Sequence, residues 1–128
     1  MAHYAFLDEN NIVTEVIVGR NEWEVVDGIS NWEEHYSRFR GQRCLRTSIN
    51  GNIRKTFARP GSRYDEVTDS FILPAPFASW ELNSDLDWVS PIAYPENDDF
   101  LYEWDEDSRS WIVSHNWDDE ASEWKSVR

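Results

Sequence analysis

Four times between residues 64 and 124 the chain sets an aromatic or apolar side chain before an acidic or amide turn of about half a dozen residues, and another large aromatic after it. The phrases are Tyr64-Asp65-Glu66 to Phe71, Leu82-Asn83-Ser84-Asp85 to Trp88, Trp104-Asp105-Glu106-Asp107 to Trp111, and Trp117-Asp118-Asp119 to Trp124. A strand that runs out, reverses at polar residues and returns brings its flanking aromatics opposite one another, where such pairs stabilise the ladder. Prolines at 74, 76, 91 and 95 stand between the phrases. Each fixes φ, removes a backbone donor and holds its predecessor extended, which excludes helix from this stretch. Residues 61–128 are therefore expected to form a proline-spaced, Trp-rich arm of short β-hairpins. Isolated hairpins are marginal in water, so these must lean on the first domain, on one another or on a partner chain.

Residues 1–60 follow a different pattern. His3-Tyr4-Ala5-Phe6-Leu7, the turn Asp8-Glu9-Asn10-Asn11 and the β-branched run from Ile12 to Val18 predict a hairpin, because Asp and Asn tolerate the backbone of tight reversals. Alternation assigns Ile12, Thr14, Val16 and Val18 to the core face. From Asp27 to Phe39 the period changes: Ile29, Trp32, Tyr36 and Phe39 fall three and four apart, the stripe of an amphipathic helix. Asp27 or Ser30 would cap it, and Gly41 would stop it. Asn50-Gly51-Asn52 lies between two extended runs, 43–49 and 53–58, and predicts a second hairpin. The expected class is α+β and β-rich: a small antiparallel ββαββ-like docking domain over 1–60 with one helix, then the acidic hairpin arm over 61–128. The aromatic share of 15% against one Met and one Cys favours sheet over a helical bundle.

The formal charge of −13 belongs wholly to the second half, since residues 1–60 carry eight basic and eight acidic side chains. A field of that sign disfavours nucleic acid and anionic membrane surfaces and attracts cations or a basic protein surface. Dense acids at turns also keep an aromatic-rich segment soluble. No apolar run has the length of a membrane span and no secretory leader is recognisable, so synthesis in a cytoplasm is expected. Cys44 stands alone, which rules out an internal disulfide and a zinc cluster and suggests a buried apolar role.

No catalytic site is expected. Acid pairs such as Asp105 with Asp107, or Asp118 with Glu120, lack the glycine and distal Glu of a calcium loop, and exposed carboxylates on a turn have no route to a raised pKa. His3, His35 and His115 fall in separate elements, without a nucleophile elbow or a phosphate-cradling glycine loop. No metal and no cofactor follow. Trp88, Trp104, Trp111, Trp117 and Trp124 beside acids and amides also have the composition of a sugar-binding face. The competing readings are cross-strand pairs or anchors in a protein interface, where Trp is enriched. The interface candidates are Trp80, Trp88, Trp104, Trp111, Trp117 and Trp124 in the arm, and the basic residues Arg43, Arg46, Arg54 and Lys55; the acidic arm would meet this basic face on another copy, or a basic face of a neighbouring protein.

Four stretches, in order, carry a family resemblance: 1–13 (Met1-Ala2-His3-Tyr4 through Ile12-Val13), Thr47-Ser48-Ile49-Asn50-Gly51-Asn52-Ile53-Arg54-Lys55, the Pro-x-Pro-Phe-x-Ser-Trp run at 74–80, and Tyr102-Glu103-Trp104-Asp105-Glu106-Asp107. Together they resemble a family of small proteins encoded by tailed bacteriophages of marine bacteria and cyanobacteria, over most of the chain to about residue 112. This chain departs from the family's pattern at Gln42-Arg43-Cys44, where Thr-Trp is usual, and at Ile49, where Tyr is usual, and it adds the Trp117 to Trp124 phrase. The family is regarded as virion structural or uncharacterised. The resemblance thus implies a non-enzymatic accessory protein of the phage particle, with capsid decoration or stabilisation preferred, capsid or tail proteins as partners, and an oligomeric or particle-assembled state. The alternative is a tail-fibre or adhesin component that binds host glycans through its Trp-rich hairpins.

Overall fold

The computed structural model describes residues 1–127. Its elements are β1 (Ala2–Leu7), β2 (Val13–Gly19), α1 (Trp32–Arg40), β3 (Arg43–Thr47), β4 (Arg63–Asp65), β5 (Ser70–Ile72), β6 (Glu81–Leu82), β7 (Trp88–Val89), β8 (Phe100–Asp105), β9 (Ser110–Asp118) and β10 (Glu123–Ser126). The fold is α+β and β-rich, with one helix among the described residues and small antiparallel sheets in the orders β2-β1-β3, β4-β5, β6-β7 and β10-β9-β8. No described helix is long and apolar enough to cross a membrane. Contacts divide the chain into one unit ending at Pro74 and a second beginning at Ala75.

In the first unit the β1–β2 hairpin closes because the Asp8 carboxylate accepts hydrogen bonds from the backbone N–H groups of Asn10 and Ile12, while Asn11 takes φ 62°. The register slips between Phe6 and Leu7, pairing Phe6 with Glu15 and Leu7 with Val13 and leaving Thr14 as the extra residue of a bulge. A strict period of two put Thr14 on the core face with Val16. The bulge instead turns Val13 inward beside Val16, and Thr14 stays exposed. Both faces of the three-stranded sheet are covered. Ala2, Tyr4, Phe6 and Cys44 pack with Trp32 and Tyr36 of α1. On the opposite face Ala5, Leu7 and Val13 pack with Ala58, Tyr64 and Phe71.

The helix is shorter than its periodicity suggested. Asp27 at φ 50° and Gly28 at φ 80° form a turn closed by reciprocal backbone bonds between Val26 and Ile29, which keeps Ile29 outside the helix although it still packs beneath it. Asn31 is the cap, its side-chain oxygen accepting from the Glu34 N–H at 3.1 Å, in place of Asp27 or Ser30. Gly41 ends the helix at φ 74°, as expected, donating to the Ser37 carbonyl. Phe39, the last member of the stripe, is exposed.

The expected fourth strand is missing. The Asn50-Gly51 turn forms, but Arg54 and Lys55 follow at φ 51° and 76°, and two consecutive left-handed residues carry the chain away from β3. Side chains occupy the outer edge of β3 instead. Glu33 accepts from the Arg46 N–H, the Arg54 guanidinium donates to the Arg46 carbonyl, and the Ala58 N–H donates to the Thr47 hydroxyl. An edge satisfied in this way is closed to strand pairing. The chain then returns along β2, where Gly61 and Ser62 exchange backbone bonds with Val13. Because the β4–β5 hairpin lays Tyr64 and Phe71 on the sheet, the boundary between units falls after Pro74 rather than at 60.

All four aromatic phrases form hairpins, and in each the flanking residues are direct cross-strand partners: Tyr64 with Phe71, Leu82 with Trp88, Trp104 with Trp111, and Trp117 with Trp124. The first polar residue of each phrase closes its turn. The side-chain oxygen of Asn83 accepts from the N–H groups of Asp85 and Asp87, that of Asp105 from Ser108, and that of Asp118 from Glu120 and Ala121, while Asp65 accepts from the Thr68 hydroxyl. Two residues before each second aromatic the backbone enters the left-handed region, at Asp69, Leu86, Arg109 and Ser122. The acids and amides of the repeat are thus parts of its turns as well as solubilising charge.

Candidate functional site

The second unit is held together by its aromatics. Trp104 lies edge-on to Trp111 and Trp80, with ring centroids 5.2 and 6.0 Å away, and Trp80 also meets Trp111 at 5.9 Å and Phe77 at 5.5 Å. Trp104 is only 7% exposed. The Glu106 carboxylate bridges this cluster to the proline-rich segment, accepting from the Trp104 indole N–H at 2.8 Å and from the Ser79 hydroxyl and backbone N–H at 2.6 and 3.0 Å. The Ser79 hydroxyl, then the Trp104 indole, hold its pKa below the ordinary value of 4.5. The Trp111 indole donates to the Ile92 carbonyl at 2.7 Å. Trp80, Trp104 and Trp111 therefore build the unit from within, and Trp88 sits half-buried opposite Leu82.

Trp117 and Trp124 stand apart from that cluster. They pair edge-to-face at 5.3 Å and remain 37% and 39% exposed. Trp124 forms one wall of a groove of about 590 Å³, whose other apolar surfaces come from Tyr94, Pro95, Phe100 and Leu101. Glu96, Asn97 and Asp98 rim it. The walls are fixed in place. The Tyr94 hydroxyl accepts from the Tyr102 N–H, and its ring meets Tyr102 and Trp111 edge-on at 5.6 and 5.0 Å. Asn97 closes the rim turn by accepting from the Asp99 N–H, and the Asp99 carbonyl accepts from the Trp117 N–H. The sequence marks Trp124 as a candidate but not Tyr94, Phe100 or Leu101. The one available signal was Tyr94-Pro95, which fixes an aromatic at the start of a stiff turn.

The basic candidates lie in the first unit and are engaged there. Arg43 pairs with Glu66 and sits over the Tyr64 ring, and Arg46 pairs with Glu22 at 2.7 Å. Arg54, with a side chain only 19% exposed, joins Glu33 and Asp69. Lys55 follows it in the second left-handed position. Outside that set, Arg40 pairs with Glu15 over the Phe6 ring, and Arg38 pairs with Glu34. The expected basic face is thus largely neutralised by neighbours in its own unit. Burial pushes the Cys44 thiol up to about 12, consistent with its place beneath the helix. The histidines stay apart: His3 meets Phe57, His35 meets Trp32, and His115 contacts the Ser114 hydroxyl. Among the described residues no three His, Cys, Asp or Glu side chains converge as metal ligands would.

No family model, curated protein or solved structure matches the chain.

Proposed function

We propose that the protein is a non-enzymatic accessory component of a tailed-phage particle that docks through its second unit onto a basic surface of a capsid or tail protein. The first unit is a folded base in which Arg38, Arg40, Arg43, Arg46 and Arg54 are paired internally. The second carries fourteen acidic and three basic side chains from residue 75 on. One observation carries the reading: the tryptophans are sorted, with Trp80, Trp104 and Trp111 in an internal cluster and Trp117 and Trp124 presented together at the surface. Exposed paired indoles on an acidic body match the aromatic anchors and charge complementarity of protein interfaces. The resemblance to phage virion proteins supplies the setting.

Co-sedimentation with purified particles, or with their isolated subunits, tests this. The wild-type chain should travel with particles, and raising salt from about 0.05 to 0.5 M should release it, because exposed charge pairs are screened. The Trp117→Ala/Trp124→Ala double variant should bind at least ~10-fold less while remaining folded. A monomeric wild-type chain that associates with no particle, capsid or tail subunit would end the proposal.

A further inference from the structure

We infer that the groove between Tyr94 and Trp124 is a receptor for an extended, arginine-bearing peptide segment of the docking partner. This deepens the docking reading and rests on it for what carries the segment, though not for the chemistry of the groove. Three features define the occupant. The volume of about 590 Å³ lies in the range of formed ligand sites and accommodates a few side chains. Its walls include two aromatic rings held at their edges by other rings, Tyr94 by Tyr102 and Trp111, and Trp124 by Trp117. Binding then requires little new ordering. Finally, Glu96 and Asp98 rim an opening that, among the described residues, no lysine or arginine lines, in a unit with a large negative charge.

The nearest cation in sequence, Lys125, is turned to Asp118 and Glu123, at 3.3 and 3.6 Å. A guanidinium entering from a partner finds aromatic surface for cation–π contact and carboxylates for charge-assisted hydrogen bonds. Its aliphatic stem covers Pro95, Phe100 and Leu101. Arginine suits this site better than lysine, because a planar, weakly hydrated guanidinium stacks on rings and binds carboxylates at once.

The experiment is a calorimetric titration of the full chain with a synthetic peptide of about eight residues alternating arginine and glycine, which reaches roughly 26 Å in extended form. The lysine and glutamate versions and a pyranose oligosaccharide are titrated in parallel. The expected result is one-to-one saturable binding, strongest for arginine, weakened by salt, and lost at least ~10-fold in Trp124→Ala. Glu96→Lys/Asp98→Lys should lose binding as fully while lying on an exposed turn, which covers the case where Trp124→Ala disturbs β10. Trp23→Ala, on the other unit, should leave the affinity unchanged. Equal binding of arginine and lysine peptides, indifferent to Trp124→Ala, would overturn the proposal in favour of diffuse charge attraction. Saccharide binding in place of peptide binding would also overturn it and would support a glycan-binding adhesin. Particle association that survives Glu96→Lys/Asp98→Lys would remove the groove while leaving the docking reading intact.

Discussion

Trp104→Ala is expected to unfold the second unit. The indole is nearly buried, packs against Trp80 and Trp111, and makes one of the three hydrogen bonds to Glu106. Truncating a buried tryptophan costs about 3–5 kcal/mol. A unit of this length has roughly 3–8 kcal/mol in total at ~0.05–0.15 kcal/mol per residue, so most of its stability goes. Amide spectra should show residues 75–127 collapsing to narrow dispersion, while residues 1–74, which have their own core, keep theirs. Trp117→Ala should cost under ~1 kcal/mol, as an exposed site allows. Acid should act on the same contact. Glu106 has a depressed folded pKa, so its contribution is complete above about 4.5 and is lost as pH falls through the lower folded value. A second unit indifferent to Trp104→Ala would show that the aromatic cluster is not its core.

Arg54→Ala is expected to loosen the first unit by about 2–3 kcal/mol. This one side chain donates to the Arg46 carbonyl at 2.8 Å, pairs with Glu33 at 3.3 Å and bonds Asp69 at 2.8 Å. It thereby ties the edge of β3 to the helix and to the β4–β5 hairpin. Glu33 and Asp69 stay 36% and 61% exposed, so losing Arg54 does not strand buried charges, and the cost stays below that of a fully buried pair. Arg54→Lys should recover less than half, since a point charge cannot serve three acceptors held by a planar fork. Asp69 is held below its ordinary 3.8 by the Tyr64 hydroxyl and then by Arg54. The stability it lends is present above that value and is lost as pH falls through the folded one. Urea unfolding of the three chains gives the comparison directly.

These two sites also show what could be read in advance. The partners of each aromatic phrase are legible because large residues flank polar turns of similar length and meet when the strand reverses. Trp104 opposite Trp111 followed from spacing alone. Whether a given pair faces inward or outward did not, since Trp104 and Trp117 begin near-identical phrases. The difference arises because Trp80, delivered from the proline-rich segment, packs on one pair and not on the other, and no local pattern encodes that contact. The sequence places Arg54 in a basic patch within a fourth strand. Its left-handed backbone has no sequence mark, because arginine rarely adopts it, and the ladder it replaces was the stronger local expectation. The bulge at Thr14 escaped for a similar reason. A single extra residue reverses the facing of its neighbours without changing their composition. The groove was the least legible feature. Tyr94 and Phe100 lie on either side of an acidic turn, and Trp124 arrives from the far strand of the meander.

The central claim is that the tryptophans divide into an internal set and a docking set, and the indole N–H region of a nitrogen-proton correlation spectrum tests it most directly. The chain has eight tryptophans, so each reports separately. On addition of the particle subunit that retains the chain in co-sedimentation, the Trp117 and Trp124 signals should shift or broaden. Those of Trp104 and Trp111, bonded to Glu106 and to the Ile92 carbonyl, should stay in place. Perturbation of Trp104 and Trp111 with Trp117 and Trp124 unmoved would contradict the account.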